Sequence, residues 1–250
     1  MEAVSEFILV DIDQCHKVSF RGIKVTTKGL FIYTVEKRWR LINIIKDCGD
    51  FMIGHMFGLL HNPQAEWKKI AALSDTALKK MSVYFIFLAM IPAIGFYIGT
   101  TQFGWSIADG DPVRITESSA IPLVVLFYFA LMGALIFIGL MIHWMSKTYS
   151  ANLHAYKGFV FIGLCCTPVF LAGALAAYPV WWLDVIIAIA ACSYAIRLMY
   201  LGVPEVMKVP EDLGFLYASA VFAVALVYVV AVLVATILLW EYVAAPVFTD

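Results

Sequence analysis

The chain has 250 residues, 63% of them hydrophobic and only 14% charged, with a mean hydropathy of +0.89 and a formal net charge of −1. Soluble domains run at about 45–50% apolar and about 25% charged, so the composition excludes an ordinary soluble protein. The balanced charge, without a basic stripe interleaved with aromatics, points to no nucleic-acid partner.

Residues 1–55 form an N-terminal extension with a texture of its own. The first residues, Met1-Glu-Ala-Val-Ser-Glu, are acidic, and the apolar run Phe7–Val10 is too short for a signal-peptide core, so the first membrane helix is expected to serve as the insertion signal. Val18–Thr27 alternates apolar and polar, and Leu30–Val35 is β-branched and aromatic; together they predict a small hairpin, marginal without a partner surface. An equal alternative is that Met52 or Met56 is the start of translation.

From Trp39 to Leu60 the pattern turns helical and amphipathic, weakened by Gly49 and Gly54, and predicts a helix on the membrane surface. Residues 56–80 continue as an interfacial amphipathic segment. In it Asn62 caps a short helix, Pro63 takes the first helical position, Glu66 falls in the first turn, and Lys68, Lys69, Lys79 and Lys80 face the headgroups.

Residues 81–240 hold five apolar runs, at 81–100, 119–145, 158–178, 180–201 and 213–240, each near or above the roughly 20 residues that cross a bilayer core. The fold class is therefore all-α, a polytopic membrane protein built as a bundle of five transmembrane helices. Pro92 predicts a kink in the first span, and Pro168 is expected to break the third. Tyr178-Pro179 ends the third span and leaves only a tight turn before the fourth, which makes the two an antiparallel hairpin. Gly202 and Pro204 are expected to end the fourth helix and turn the chain. Small-residue pairs one turn apart (Gly173/Ala177, Ala191/Ala195, Ser219/Ala223 and Ala231/Ala235) predict close helix contacts.

With the N-terminus in the cytoplasm, 16 of the 17 Lys and Arg residues fall on the cytoplasmic side and only Arg114 lies outside. The positive-inside rule then leaves residues 241–250 as a short extracytoplasmic tail. Trp105, Trp181, Trp182, Trp240 and Tyr242 gather at the outer interface, with Trp144 and Tyr149 at the inner one, as an aromatic belt requires.

Ionisable residues in membrane segments are the first place to look for function, and here they are few. Asp184 follows Trp181-Trp182-Leu183 at the outer end of span four, Arg197 lies about a turn from its inner end within reach of Glu205 or Glu211, and His143 sits beside Trp144 at the inner end of span two. All three read as interfacial structural residues before transport residues. No span has a charge near its centre. His143/His154 and His55/His61 lack the carboxylates that would complete a metal site, and Asp109 and Asp111 read as a solvated turn. Cys15, Cys48, Cys165, Cys166 and Cys192 show no paired spacing and read as small hydrophobes. The expectation is thus no catalytic residue, no metal and no cofactor.

Four ordered stretches carry a resemblance. They are His61-Asn-Pro-Gln-Ala-Glu-Trp67; Ala89 to Trp105 with Asp109-Gly110; Thr167 to Gly173 and Tyr178 to Trp181; and Leu198-Met-Tyr-Leu-Gly-Val-Pro204 with Pro210-Glu-Asp212. In this order the chain resembles the Yip (Ypt-interacting protein) domain family, in its bacterial inner-membrane branch. The resemblance implies five spans with a cytoplasmic N-terminus and residence in the bacterial cytoplasmic membrane. Eukaryotic relatives are associated with small GTPases and vesicle traffic, a setting that a bacterial inner membrane lacks. Tyr200, Gly202 and Pro204 match the family's motif at the end of span four, and no catalytic role attaches to them. The functional expectation is a non-enzymatic protein that acts on membrane lipids, a membrane-protein partner or further copies of itself. The alternative is an oligomeric channel or transporter for small solutes or ions.

Overall fold

A computed structural model of the chain describes residues 52–106, 112–149, 151, 154–178, 180–242 and 245–249, which fall in one compact unit, Cys48–Asp250. The expected hairpin, Cys15, Cys48, Asp109, Asp111, Pro179 and the helical pattern before residue 52 lie outside the described residues.

Two short helices open the described chain: α1 over residues 52–61 and α2 over Pro63–Ala71. Asn62 separates them and caps α2, its side chain accepting the amide of Ala65 at 3.3 Å, and Pro63 occupies the first turn, where its missing N–H costs nothing. Five helices long and apolar enough to cross a membrane follow, so this is a transmembrane protein. The first, Asp75–Phe103, is interrupted: α3 (Asp75–Leu88) gives way at Ala89 to α4 (Met90–Ile98). Pro92 supplies the cause, since its ring crowds the carbonyl four residues back, at Leu88, and offers it no N–H. The span ends in a π-helical turn, Gly99–Phe103, in which Thr100 and Thr101 hydroxyls return to the carbonyls of Phe96 and Tyr97 at 2.7 Å each.

The second span is α5 (Glu117–Ser146), and the third is α6 (Ala155–Ala172) tightening into a 3-10 turn, Gly173–Ala177. The fourth is α7 (Trp181–Met207) and the fifth α8 (Glu211–Tyr242). Two expectations about proline are corrected. Pro168 does not break α6, which runs on to Ala172, and neither Gly202 nor Pro204 ends α7. That helix stops after Met207, where Lys208 takes a left-handed conformation with φ 54°.

Close backbone approach is visible at four glycines. Gly139 of α5 faces Gly158 of α6, and Gly95 of α4 faces Gly173. α8 buries only Gly214, Tyr217, Ala218 and Val221; further along it touches α5 through Tyr228, whose hydroxyl donates to Ala130 O at 2.8 Å. Its remaining face, including Val227, Val230, Leu233 and Ile237, is exposed and apolar, as a lipid-facing helix must be.

Among the described residues one two-stranded sheet departs from the helices. β1 (Arg114–Ile115) pairs antiparallel with β2 (Phe248–Thr249), in register Arg114↔Thr249 and Ile115↔Phe248. Trp105 bridges Val113 beside them and meets Phe248 edge-on at 6.0 Å. Residues 245–249 are therefore tied to the loop before α5, where the sequence suggests only a tail.

Candidate functional site

The start of α3, the end of α5, the start of α6, the end of α7 and the start of α8 meet at one end of the bundle, together with α1 and α2. Lys157 of α6 reaches Asp75 of α3 at 3.1 Å, and Lys68 of α2 reaches Glu205 of α7 at 3.9 Å. Tyr149 stacks on Tyr217 with centroids 4.8 Å apart, and the Tyr217 hydroxyl donates to Ile142 O. This is the lysine-rich end.

α1 and α2 form a wedge that packs one face against that end and leaves the other exposed. Met52 and Leu59 of α1 and Trp67 and Ile70 of α2 are fully buried. The indole of Trp67 lies against Phe161 with centroids 5.2 Å apart, over Gly202 of α7. A Cβ at residue 202 would stand 2.6 Å from Trp67 Cε2 and 2.7 Å from Phe161 Cε2. The opposite flank of α1 exposes Ile53, Phe57 and Leu60, continuous in chemistry with the exposed Val83, Ile86 and Phe87 of α3. Between them runs an apolar groove of about 380 Å³ whose walls include Met56, Tyr84, Leu88 and Ile91.

The Glu66 carboxylate inside the wedge is paired within it. Glu66 is 5% exposed; its Oε1 lies 2.5 Å from His55 Nδ1 and its Oε2 accepts from Lys69 Nζ at 2.8 Å. Burial pushes the Glu66 carboxyl up, but hydrogen bonds from Lys69 and His55 and their proximity outweigh it and hold it below the ordinary carboxylate value. The carboxylate is the acceptor, so His55 Nδ1 carries the proton in this contact. Gly58 gives Glu66 its room, since a Cβ there would fall 2.5 Å from the carboxyl carbon. The last carbonyls of α1 are met by α7: Tyr194 Oη donates to Leu59 O at 2.9 Å and to Leu60 O at 3.0 Å. The last carbonyls of a helix have no partner within it, and the Tyr194 hydroxyl serves these two. The His55–Glu66 contact is absent from the sequence reading, which pairs His55 only with His61. An i, i+11 relation across a helix–helix turn has no periodic signature.

The predicted site residues do not converge. Tyr200 pairs its hydroxyl with Ser219 Oγ at 2.9 Å and lies against Phe215, joining α7 to α8. Gly202 seats Trp67 on one side of α7, while Pro204 packs on Gly214 of α8. These three staple neighbouring helices to α7. Arg197 is exposed and its guanidinium lies 5.8 Å from the Tyr194 ring centroid, while Glu205 pairs with Lys68. Asp184 is half-exposed in the first turn of α7, where a carboxylate suits the helix dipole. His143 lies in the last turn of α5, its carbonyl accepting from Ser146 Oγ at 2.7 Å. Asp184 and Arg197 share only the helix, and His143 belongs to another. Among the described residues no group of three or more His, Cys, Asp or Glu is placed to hold a metal.

Beside the wedge lies a second, smaller cavity of about 70 Å³, lined by Trp67, Leu78, Lys157, Phe161, Leu164 and Lys208 among others.

The Yip1 domain matches residues 57–233, a stretch that runs from the second half of α1 into α8 and includes the whole wedge–α7 contact. The inner membrane protein YohC of Escherichia coli strain K12 is 30% identical over 190 residues, covering 76% of this chain and 97% of its own. The protein of the same name from E. coli O6:H1 strain CFT073 matches to the same extent. No solved structure matches. The family match takes in most of the elements that build the lysine-rich end, and the chain belongs to the Yip1 domain family.

Proposed function

We propose that this chain is a bacterial inner-membrane protein whose lysine-rich end is an interaction surface for membrane lipids or a membrane-protein partner, and that it does no catalysis. Its N-terminus lies in the cytoplasm and its C-terminus outside. Residues 56–80 belong functionally with the five spans, and residues 1–55 are an extension to them. The naming of YohC as an inner membrane protein supports the location, and the gathering of lysines at one end supports the orientation.

The observation that carries the reading is the α1–α2 wedge. It pairs the buried Glu66 carboxylate with His55 and Lys69 and turns an apolar ridge (Ile53, Phe57 and Leu60) outward beside the exposed Lys68 and Lys69. An apolar ridge rimmed by cations is what an interfacial helix offers to acyl chains and anionic headgroups. The channel alternative draws no support from the two cavities described, one small and lined mostly by apolar side chains, the other apolar.

Gentle solubilisation followed by affinity capture tests the proposal. A lipid class or membrane protein should copurify in stoichiometric amount and be lost when Phe57 is changed to Asp. Repeated capture of the bare protein would overturn it. Flux through liposomes reconstituted with the pure protein would restore the channel.

A further inference from the structure

The 70 Å³ cavity has a one-sided polar lining. Its side chains are apolar except for three donors: the indole N–H of Trp67 and the ammonium groups of Lys157 and Lys208. No lining side chain is an acceptor. Trp67 Nε1 is buried and has no hydrogen-bond partner among the described residues. A buried donor left unpaired costs about 1–3 kcal/mol, so a native site normally supplies an acceptor.

Helix dipoles do not set the sign of this site. The starts of α3 and α6 meet the ends of α2 and α7 around it, so their partial charges oppose one another. The sign comes from the side chains. Asp75 takes one face of the Lys157 ammonium at 3.1 Å, which leaves that group two further N–H donors. Lys208 is exposed beyond the end of α7, at the open side of the cavity.

Size narrows the occupant. A water molecule needs roughly 10–15 Å³ on this measure, and the cavity offers about five times that. A tetrahedral oxyanion of five heavy atoms is of this size and offers only acceptors, the complement of the three donors that line the cavity. We propose that this cavity binds a phosphate group, held by Trp67 Nε1, Lys157 and Lys208. The inference deepens the interaction reading above by naming the chemistry recognised at the lysine-rich end. The phosphate comes either from an anionic lipid headgroup or from a soluble phosphate compound.

The test uses the full chain labelled with 15N at its indole nitrogens, in detergent micelles, with the Trp67 resonance assigned by its loss in Trp67→Phe. Titration with inorganic phosphate at constant ionic strength should move that resonance saturably, while chloride leaves it unmoved. Lys208→Gln, an exposed change, should raise the midpoint about tenfold, the factor expected for losing one charge-assisted hydrogen bond. Nanodiscs of phosphatidylcholine with phosphatidylglycerol should then move the resonance without added phosphate if the source is a lipid; movement by inorganic phosphate alone assigns a soluble ligand. A resonance unmoved by both probes overturns the proposal and leaves the cavity to water. A copurifying partner together with an unmoved resonance would sink the phosphate site alone. A moved resonance with no partner or lipid enrichment would sink the interaction reading alone.

Discussion

The indole of Trp67 fills the space that a side chain on residue 202 would need, so Gly202 of α7 and Trp67 of α2 fit only as a pair. Trp67 is fully buried, and its contact with Gly202 and Phe161 anchors the wedge to the spans. Gly202→Ala should therefore force apart two aromatic rings and not a flexible side chain. We expect a loss of about 1–3 kcal/mol, the range for overpacking a tight core, seen as a lower melting temperature in detergent. An unchanged melting temperature would show that the wedge yields freely.

Glu66 couples the wedge to pH. Its carboxyl is held below the ordinary value, so its stabilising effect is complete above the unfolded-state value of about 4.3 and is lost as pH falls through the lower, folded one. Melting temperature in detergent should accordingly fall on acidification below about pH 4. Glu66→Gln should cost about 1–3 kcal/mol at pH 7, because His55 and Lys69 lose a charged acceptor, and should flatten that acid limb. The same acid limb in the variant would rule Glu66 out as its source.

Tyr194→Phe removes one hydroxyl and leaves the ring that lies beside Arg197. The carbonyls of Leu59 and Leu60 then have lost their donor from α7. Hydrogen exchange should rise in residues 52–61 while α8 stays unchanged. Equal protection in the two proteins would mean that other groups satisfy the end of α1.

The proposed orientation is open to direct measurement. Alkaline phosphatase fused after Asp250 should be active and a fluorescent protein at the same place dark. The reverse result would invert the bundle and place the lysine-rich end outside, against the positive-inside rule.

The five spans are legible because length and apolarity are local properties, and the break at Ala89 because Pro92 imposes it within its own turn. The wedge is less so. Asn62, Pro63 and Glu66 are correctly placed at the start of α2, yet Glu66 reads as a first-turn surface carboxylate, since its partner His55 is set by the angle between two helices. Gly202 and Pro204 mislead for the opposite reason. Both are local helix breakers, but Trp67 and Gly214 use them as packing surfaces, and the tertiary contacts carry α7 through to Met207. Two-residue strands more than a hundred residues apart leave no periodic trace, so the pairing of Arg114 with Thr249 emerges only in three dimensions.

That pairing gives assembly a clock. Thr249 follows Arg114 by 135 residues, which at about 5–20 residues per second of synthesis is on the order of ten seconds. During that interval spans two to five are synthesised, while the edge at Arg114 and Ile115 still lacks its partner strand. The ladder can close only once α8 and the strand Phe248–Thr249 behind it have been synthesised. It ties the loop behind the first span to the segment behind the fifth, and so brackets the four spans made between them.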